Sequence, residues 1–101
     1  MIYKTDDSNL IPNYQAYTMQ GTNMCPTVNE GDFLVVDTEQ KFIISGDIYI
    51  IHYQQAIVVC RLLLDRNRVT LIFDNTKVEI IEPLNNISIV GRVVEIKTAS
   101  D

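Results

Sequence analysis

The sequence predicts a mostly β fold of about seven antiparallel strands, and three observations carry that expectation. Isoleucine and valine make up 24 of the 101 residues, whereas alanine occurs 3 times; β-branched side chains with a stiff χ1 suit pleated sheet better than helix. Apolar runs are short and regularly spaced, with turn residues between them, which favours a barrel or sandwich over βαβ units. The length fits one domain, and 47% apolar residues can supply a single core.

The elements follow in chain order. Residues 1–13 read as a polar lead-in broken by Asp6-Asp7-Ser8-Asn9 and Pro12-Asn13, and residues 14–101 as the domain. Tyr14 to Met19 is a first short strand. Gly21 to Asp32 is rich in turn residues, and Phe33 to Asp37 is a buried strand. Ser45-Gly46-Asp47 turns into Ile48 to Tyr53. Gln54-Gln55 has the length of a tight hairpin without its preferred Asn-Gly chemistry, and Ala56 to Leu64 returns as a long apolar strand. Asp65-Arg66-Asn67 turns into Arg68 to Phe73, where Val69, Leu71 and Phe73 alternate with the residues between them. Val78 to Ile81 is short and stops before Pro83, and Ile87 to Lys97 closes the domain.

Composition also excludes functions. Eight basic against thirteen acidic side chains leave a formal charge of −5, and gripping nucleic acid needs a basic footprint. Arg61, Arg66 and Arg68 read as a small solvated cluster around one turn rather than as such a footprint. No apolar run nears the ~18–20 residues of a membrane helix, and the start is no signal peptide, so no membrane partner and a cytoplasmic location are expected. Cys25, Cys60 and His52 are too few for a structural zinc site, so no metal and no cofactor are expected. A Cys25–Cys60 bridge is open on paper, but a reducing compartment favours two buried free thiols.

From Gly21 onward the chain carries an ordered set of motifs. Gly21-Thr22-Asn23-Met24-Cys25-Pro26-Thr27 is followed by Gly31-Asp32 and Val35-Val36-Asp37, then Gly46-Asp47-Ile48-Tyr49, Val59-Cys60-Arg61-Leu62, Asp74-Asn75 and Ile89-Val90-Gly91-Arg92-Val93-Val94. In this order and spacing they resemble the C-terminal domain of LexA-type and phage CI-type repressors, a peptidase-like domain shared with UmuD proteins and related to signal peptidases. The resemblance spans residues 21–94. It implies strongly twisted antiparallel sheets.

It also implies a Ser–Lys dyad, in which an apolar setting keeps a lysine neutral so that it can take the serine proton. Here the serine position is Asn23 and the lysine position is Cys60. An amide is no nucleophile and a thiol is no base for a neighbour, and loss of either partner removes several orders of magnitude in rate. The catalytic set is therefore expected to be empty, with Asn23 and Cys60 as its degenerate positions. The Ala-Gly or Cys-Gly pair at which such proteins cut themselves is absent too. A peptidase with an unusual nucleophile stays an alternative: Cys60 and His52 flank the Gln54-Gln55 turn, although a lone strand histidine is more often structural or exposed.

With catalysis gone, the resemblance implies a domain that holds repressor subunits together as a homodimer or higher homo-oligomer, with DNA contacted only by a separate N-terminal helix-turn-helix domain. The resemblance also implies that the last strand contributes much of the interface, here at Ile87, Ile89, Val93, Val94 and Ile96, and the apolar residues on both of its faces agree with that. A free-standing protein that forms mixed dimers with a repressor is the other alternative.

Overall fold

A computed structural model describes residues 2–5 and 13–98. Eight strands are present: β1 (Ile2–Thr5), β2 (Tyr14–Met19), β3 (Phe33–Asp37), β4 (Ile48–Tyr53), β5 (Ala56–Asp65), β6 (Arg68–Phe73), β7 (Val78–Pro83) and β8 (Ser88–Lys97), with a short 3-10 turn at Leu84–Asn86. The seven expected strands are all found, with ends shifted by two residues at most. The eighth, β1, lies in the stretch expected to be a polar lead-in; it pairs with β2 from Ile2↔Met19 to Thr5↔Ala16. All pairings are antiparallel, in one sheet of order β1-β2-β3-β8-β4-β5-β6-β7. Among the described residues no helix is long and apolar enough to cross a membrane.

Hairpin chemistry sets the local registers. Gln54 and Gln55 both take positive φ, 50° and 66°, as a tight turn matched to strand twist requires even without asparagine or glycine. Arg66-Asn67 is the whole of the next turn, because Asp65 already pairs with Arg68.

The sheet is spliced by β8. Its first half pairs with β4, from His52↔Ser88 to Tyr49↔Arg92, and its second half pairs with β3, from Asp37↔Arg92 to Phe33↔Lys97. A bulge between Val35 and Val36 sets two residues of β8, Val94 included, against one step of β3. The sheet then curls until β1 meets β5, although four strands separate them.

Because successive strand residues face opposite ways, the centre of the sheet is buried on both sides. One face carries Ile50 and Val59 against Tyr17, Met19, Leu34 and Val36, capped by Met24 and Val28 from the segment between β2 and β3. The other carries Tyr49, Ile51, Cys60, Leu62, Val69 and Leu71, flanked by Ile43, Leu84, Ile87 and Ile89. Each fully buried Leu or Ile contributes roughly 1.5–3 kcal/mol.

Candidate functional site

The segment 21–32 is a compact plug held at both ends. Gly21 and Gly31 take positive φ of 90° and 91°, which glycine adopts without steric penalty. Met19 N–H donates to the Asp32 carbonyl and Gly31 N–H to the Met19 carbonyl, both at 2.9 Å. The buried Asp32 carboxylate accepts from Asn29 N–H at 2.9 Å. Between these ties Met24 and Val28 sink fully into the first core cluster.

A polar clamp docks the plug on the sheet. Asn75 N–H donates to the Asn23 carbonyl at 3.0 Å, and the Thr27 hydroxyl donates to Asp74 Oδ2. The same carboxylate receives Arg61 side-on, from Nε to Oδ1 and from Nη2 to Oδ2, both at 2.9 Å. Arg61 Nη1 also donates to the Gly46 carbonyl at 2.8 Å. Planar guanidinium–carboxylate pairs of this kind are strong and geometrically specific. Burial alone would raise the Asp74 carboxyl pKa; hydrogen bonds from Arg61 and Thr27, with the guanidinium charge, outweigh it and hold the pKa below the ordinary value. The bond to Asp74 raises that of Arg61.

A depressed folded-state pKa fixes the sign of the pH dependence. The clamp stabilises fully above the unfolded carboxylate value of ~3.9, and its contribution disappears as pH falls through the lower folded value. Asp74→Asn is expected to lose about 2 kcal/mol at pH 7, as for a charge-assisted hydrogen-bonded pair. Urea unfolding at pH 7 and pH 3 checks this: the gap between variant and parent should shrink at pH 3, and a constant gap contradicts the assignment.

Asn23 and Cys60 are not joined by any hydrogen bond among the described residues. Asn23 lies half-buried at the Asp74-Asn75 turn. Cys60 lies one step beyond the Arg61↔Ile72 pair, opposite Tyr49 on β4, with its side chain fully buried in the second cluster. Its neighbours Val59 and Arg61 face the plug instead. Burial pushes the Cys60 thiol up to about 12, so it is protonated at neutral pH and is a poor nucleophile. Both cysteines are free thiols. His52 pairs with Ile57, three register positions from Cys60, and is exposed on the opposite face, so a Cys60–His52 pair is ruled out.

The residues converging here are the motif residues: Asn23, Met24 and Thr27, Gly46, Arg61, and Asp74-Asn75. Gly91 belongs to the same pattern for another reason, since a Cβ there would lie 2.5 Å from the Asp37 carbonyl oxygen. The family model described as Peptidase S24-like matches residues 4–94. The chain belongs to the Peptidase S24-like family. A relative from Haemophilus influenzae, an uncharacterized HTH-type transcriptional regulator, is 30% identical over 89 residues, which is 83% of this chain and 37% of the relative. The chain thus spans little more than a third of the length of that relative.

Within this S24-like chain the expected interface residues divide. Ile87 and Ile89 pack against the second cluster and Val93 against the first. Val94 and Ile96 stay exposed, at 38% and 36%. Arg61 does not join Arg66 and Arg68: it faces the plug, while those two stand exposed at the β5–β6 turn. Register explains the clamp: the two-residue turn at Arg66-Asn67 sets Arg61 opposite Ile72 and leaves Asp74 on the same side, where a turn of Asp65-Arg66-Asn67 would not. Tyr49 stands in the Gly46-Asp47-Ile48-Tyr49 motif, but the role of its hydroxyl escaped sequence reasoning. Its buried hydroxyl accepts from Ile44 N–H at 2.7 Å and donates to the Phe42 carbonyl at 3.0 Å, which pins the segment before β4.

Proposed function

We propose that this chain is the non-catalytic dimerisation domain of a LexA-like or phage-type repressor, acting in the cytoplasm, with DNA contacted by a separate helix-turn-helix domain. The observation that carries this reading is the half-open edge of β8. Beyond Arg92 the strand pairs with β3 alone, so among the described residues the side of Val93–Lys97 away from β3 has no strand partner. Val94 and Ile96 lie exposed along that stretch, with Phe33 exposed at 38% on the adjoining strand. An unpaired edge with apolar side chains is a template for another strand. A second copy of β8 running antiparallel about a two-fold axis satisfies both edges at once.

The remaining features support the same reading. Asn23 offers no nucleophile, and the protonated, buried Cys60 offers no base. The relative's name places a helix-turn-helix in a chain of which this one matches 37%. Two weak DNA-reading heads tied together act at high effective concentration on a two-fold operator. A tie of charge −5 stays off the phosphates while the heads read sequence.

Sedimentation on dilution should show a dimer at micromolar concentration, and incubation at alkaline pH should leave the chain uncut. A monomer at high micromolar concentration would sink the dimer reading. Self-cleavage abolished by Cys60→Ala would sink the non-catalytic one.

A further inference from the structure

Arg92 is firmly placed and yet underused. Its backbone pairs with Tyr49 on one side and with Asp37 on the other, so the residue is fixed where β8 passes from β4 to β3. Its Nε is buried and has no hydrogen-bond partner among the described residues. Its ion pair with Asp47 is loose: Oδ2 lies 3.6 Å from Nη1, too far for a hydrogen bond. A buried donor left in this way costs free energy and calls for an acceptor. Arg61 shows what such a head can do, since its Nε and Nη2 hold the Asp74 carboxylate side-on.

Both arginines line one pocket of about 270 Å³, set between the start of β4 and the half of β8 that pairs with β3 alone. The charges in it are of both signs. Arg61 is neutralised by Asp74, and its Nη1 is taken by the Gly46 carbonyl. That leaves the Arg92 guanidinium in the company of two carboxylates, Asp47 and Glu95, while Ile48, Val94 and Ile96 supply apolar wall. A simple anion would be repelled by the carboxylates and a simple cation by Arg92. A small molecule that carries both charges, with an apolar group attached, meets an opposite sign at each end and wall in between.

We infer that this pocket binds a small zwitterion of the α-amino acid class, its carboxylate held side-on by Arg92, its ammonium by Asp47 and its side chain against Ile48, Val94 and Ile96. The ligand inserts into the loose Arg92–Asp47 pair and gives each member a closer partner, the Arg92 Nε included. The two heads are 27% and 40% exposed and free to part. Their backbones stay put, because Asp47 N–H donates to the Ile44 carbonyl and the Asp47 carbonyl accepts from Leu62 N–H. Little ordering is then left to oppose binding. Val94 and Ile96 also belong to the edge proposed above for a second copy. Resting on that reading, ligand and second copy compete for β8, and the amino acid loosens the dimer.

Titration calorimetry of the full chain with L-leucine tests the site. Saturable binding is expected, and isocaproate, which lacks the ammonium, and isoamylamine, which lacks the carboxylate, should each bind about tenfold more weakly or worse. Arg92→Gln and Asp47→Asn should each cost a similar factor, with urea unfolding to show that both variants fold. The inference is overturned if leucine gives no saturable binding at millimolar concentration, if either analogue binds as well as leucine, or if both variants bind like the parent. Sedimentation equilibrium separates the two readings. With both right, leucine weakens the dimer. If only the dimer reading fails, the chain is a monomer with or without leucine while calorimetry still reports binding. If only the ligand site fails, the dimer persists and leucine changes neither measurement.

Discussion

Gly91→Ala is expected to remove about 3 kcal/mol of stability, a large part of what a domain of this size possesses. The added Cβ would sit 2.5 Å from the Asp37 carbonyl oxygen and 2.8 Å from Val36 Cγ1. Neither can yield cheaply. The carbonyl belongs to the backbone of β3, and the Val36 side chain is fully buried in the first cluster. Gly91 also pairs with Ile50 at the point where β8 passes from β4 to β3, so any outward shift of its backbone pulls on both ladders. The urea midpoint of the variant should fall sharply with little change in slope. An unchanged midpoint would mean that the strands can separate at the crossing without loss.

Val94→Asp combined with Ile96→Asp is expected to weaken self-association through β8 at least a hundredfold, about 2.7 kcal/mol. In the isolated chain both side chains are already more than a third exposed, and exposed substitutions seldom move stability by more than about 0.5 kcal/mol. In the proposed dimer the same positions lie near the two-fold axis. Four new carboxylates would meet there in place of apolar contact, and like charges brought together at an interface oppose association strongly. Sedimentation equilibrium gives the association constant and urea unfolding the control. A weaker dimer with an unchanged midpoint supports the interface; equal loss of both would place the two residues in the fold rather than at the contact.

Much of this architecture can be read from the chain because alternation and turn chemistry agree. Val69 and Leu71 lie buried on one face of β6 while Arg68 and Thr70 are more exposed, the pattern that period-2 spacing predicts. β1 is harder to see: four residues pairing on one side only leave little periodicity to detect, and the Asp6-Asp7 run after them reads as a breaker. In the candidate site, the motif residues were legible but their grouping was not. Arg61 looks like a companion of Arg66 and Arg68 along the chain, and strand register is what separates them. The Tyr49 hydroxyl gave no signal beyond its place in a motif, because a tyrosine in an apolar strand looks like core until the backbone groups that reach its hydroxyl are known.

The splice at β8 also governs the order in which the molecule can be completed. β3 and β4 have no common ladder; the strand lying between them is the last of the eight described strands in chain order and so leaves the ribosome after all the others. Until Ser88–Lys97 has left the ribosome, no strand ladder joins β1-β2-β3 to β4-β5-β6-β7, and only core packing and the plug clamp can hold them together. Pairing Phe33 with Lys97 closes a loop of more than sixty residues, the kind of distant contact that slows folding. Meanwhile two raw edges wait unprotected, and a nascent chain in that condition is prone to aggregate with its neighbours.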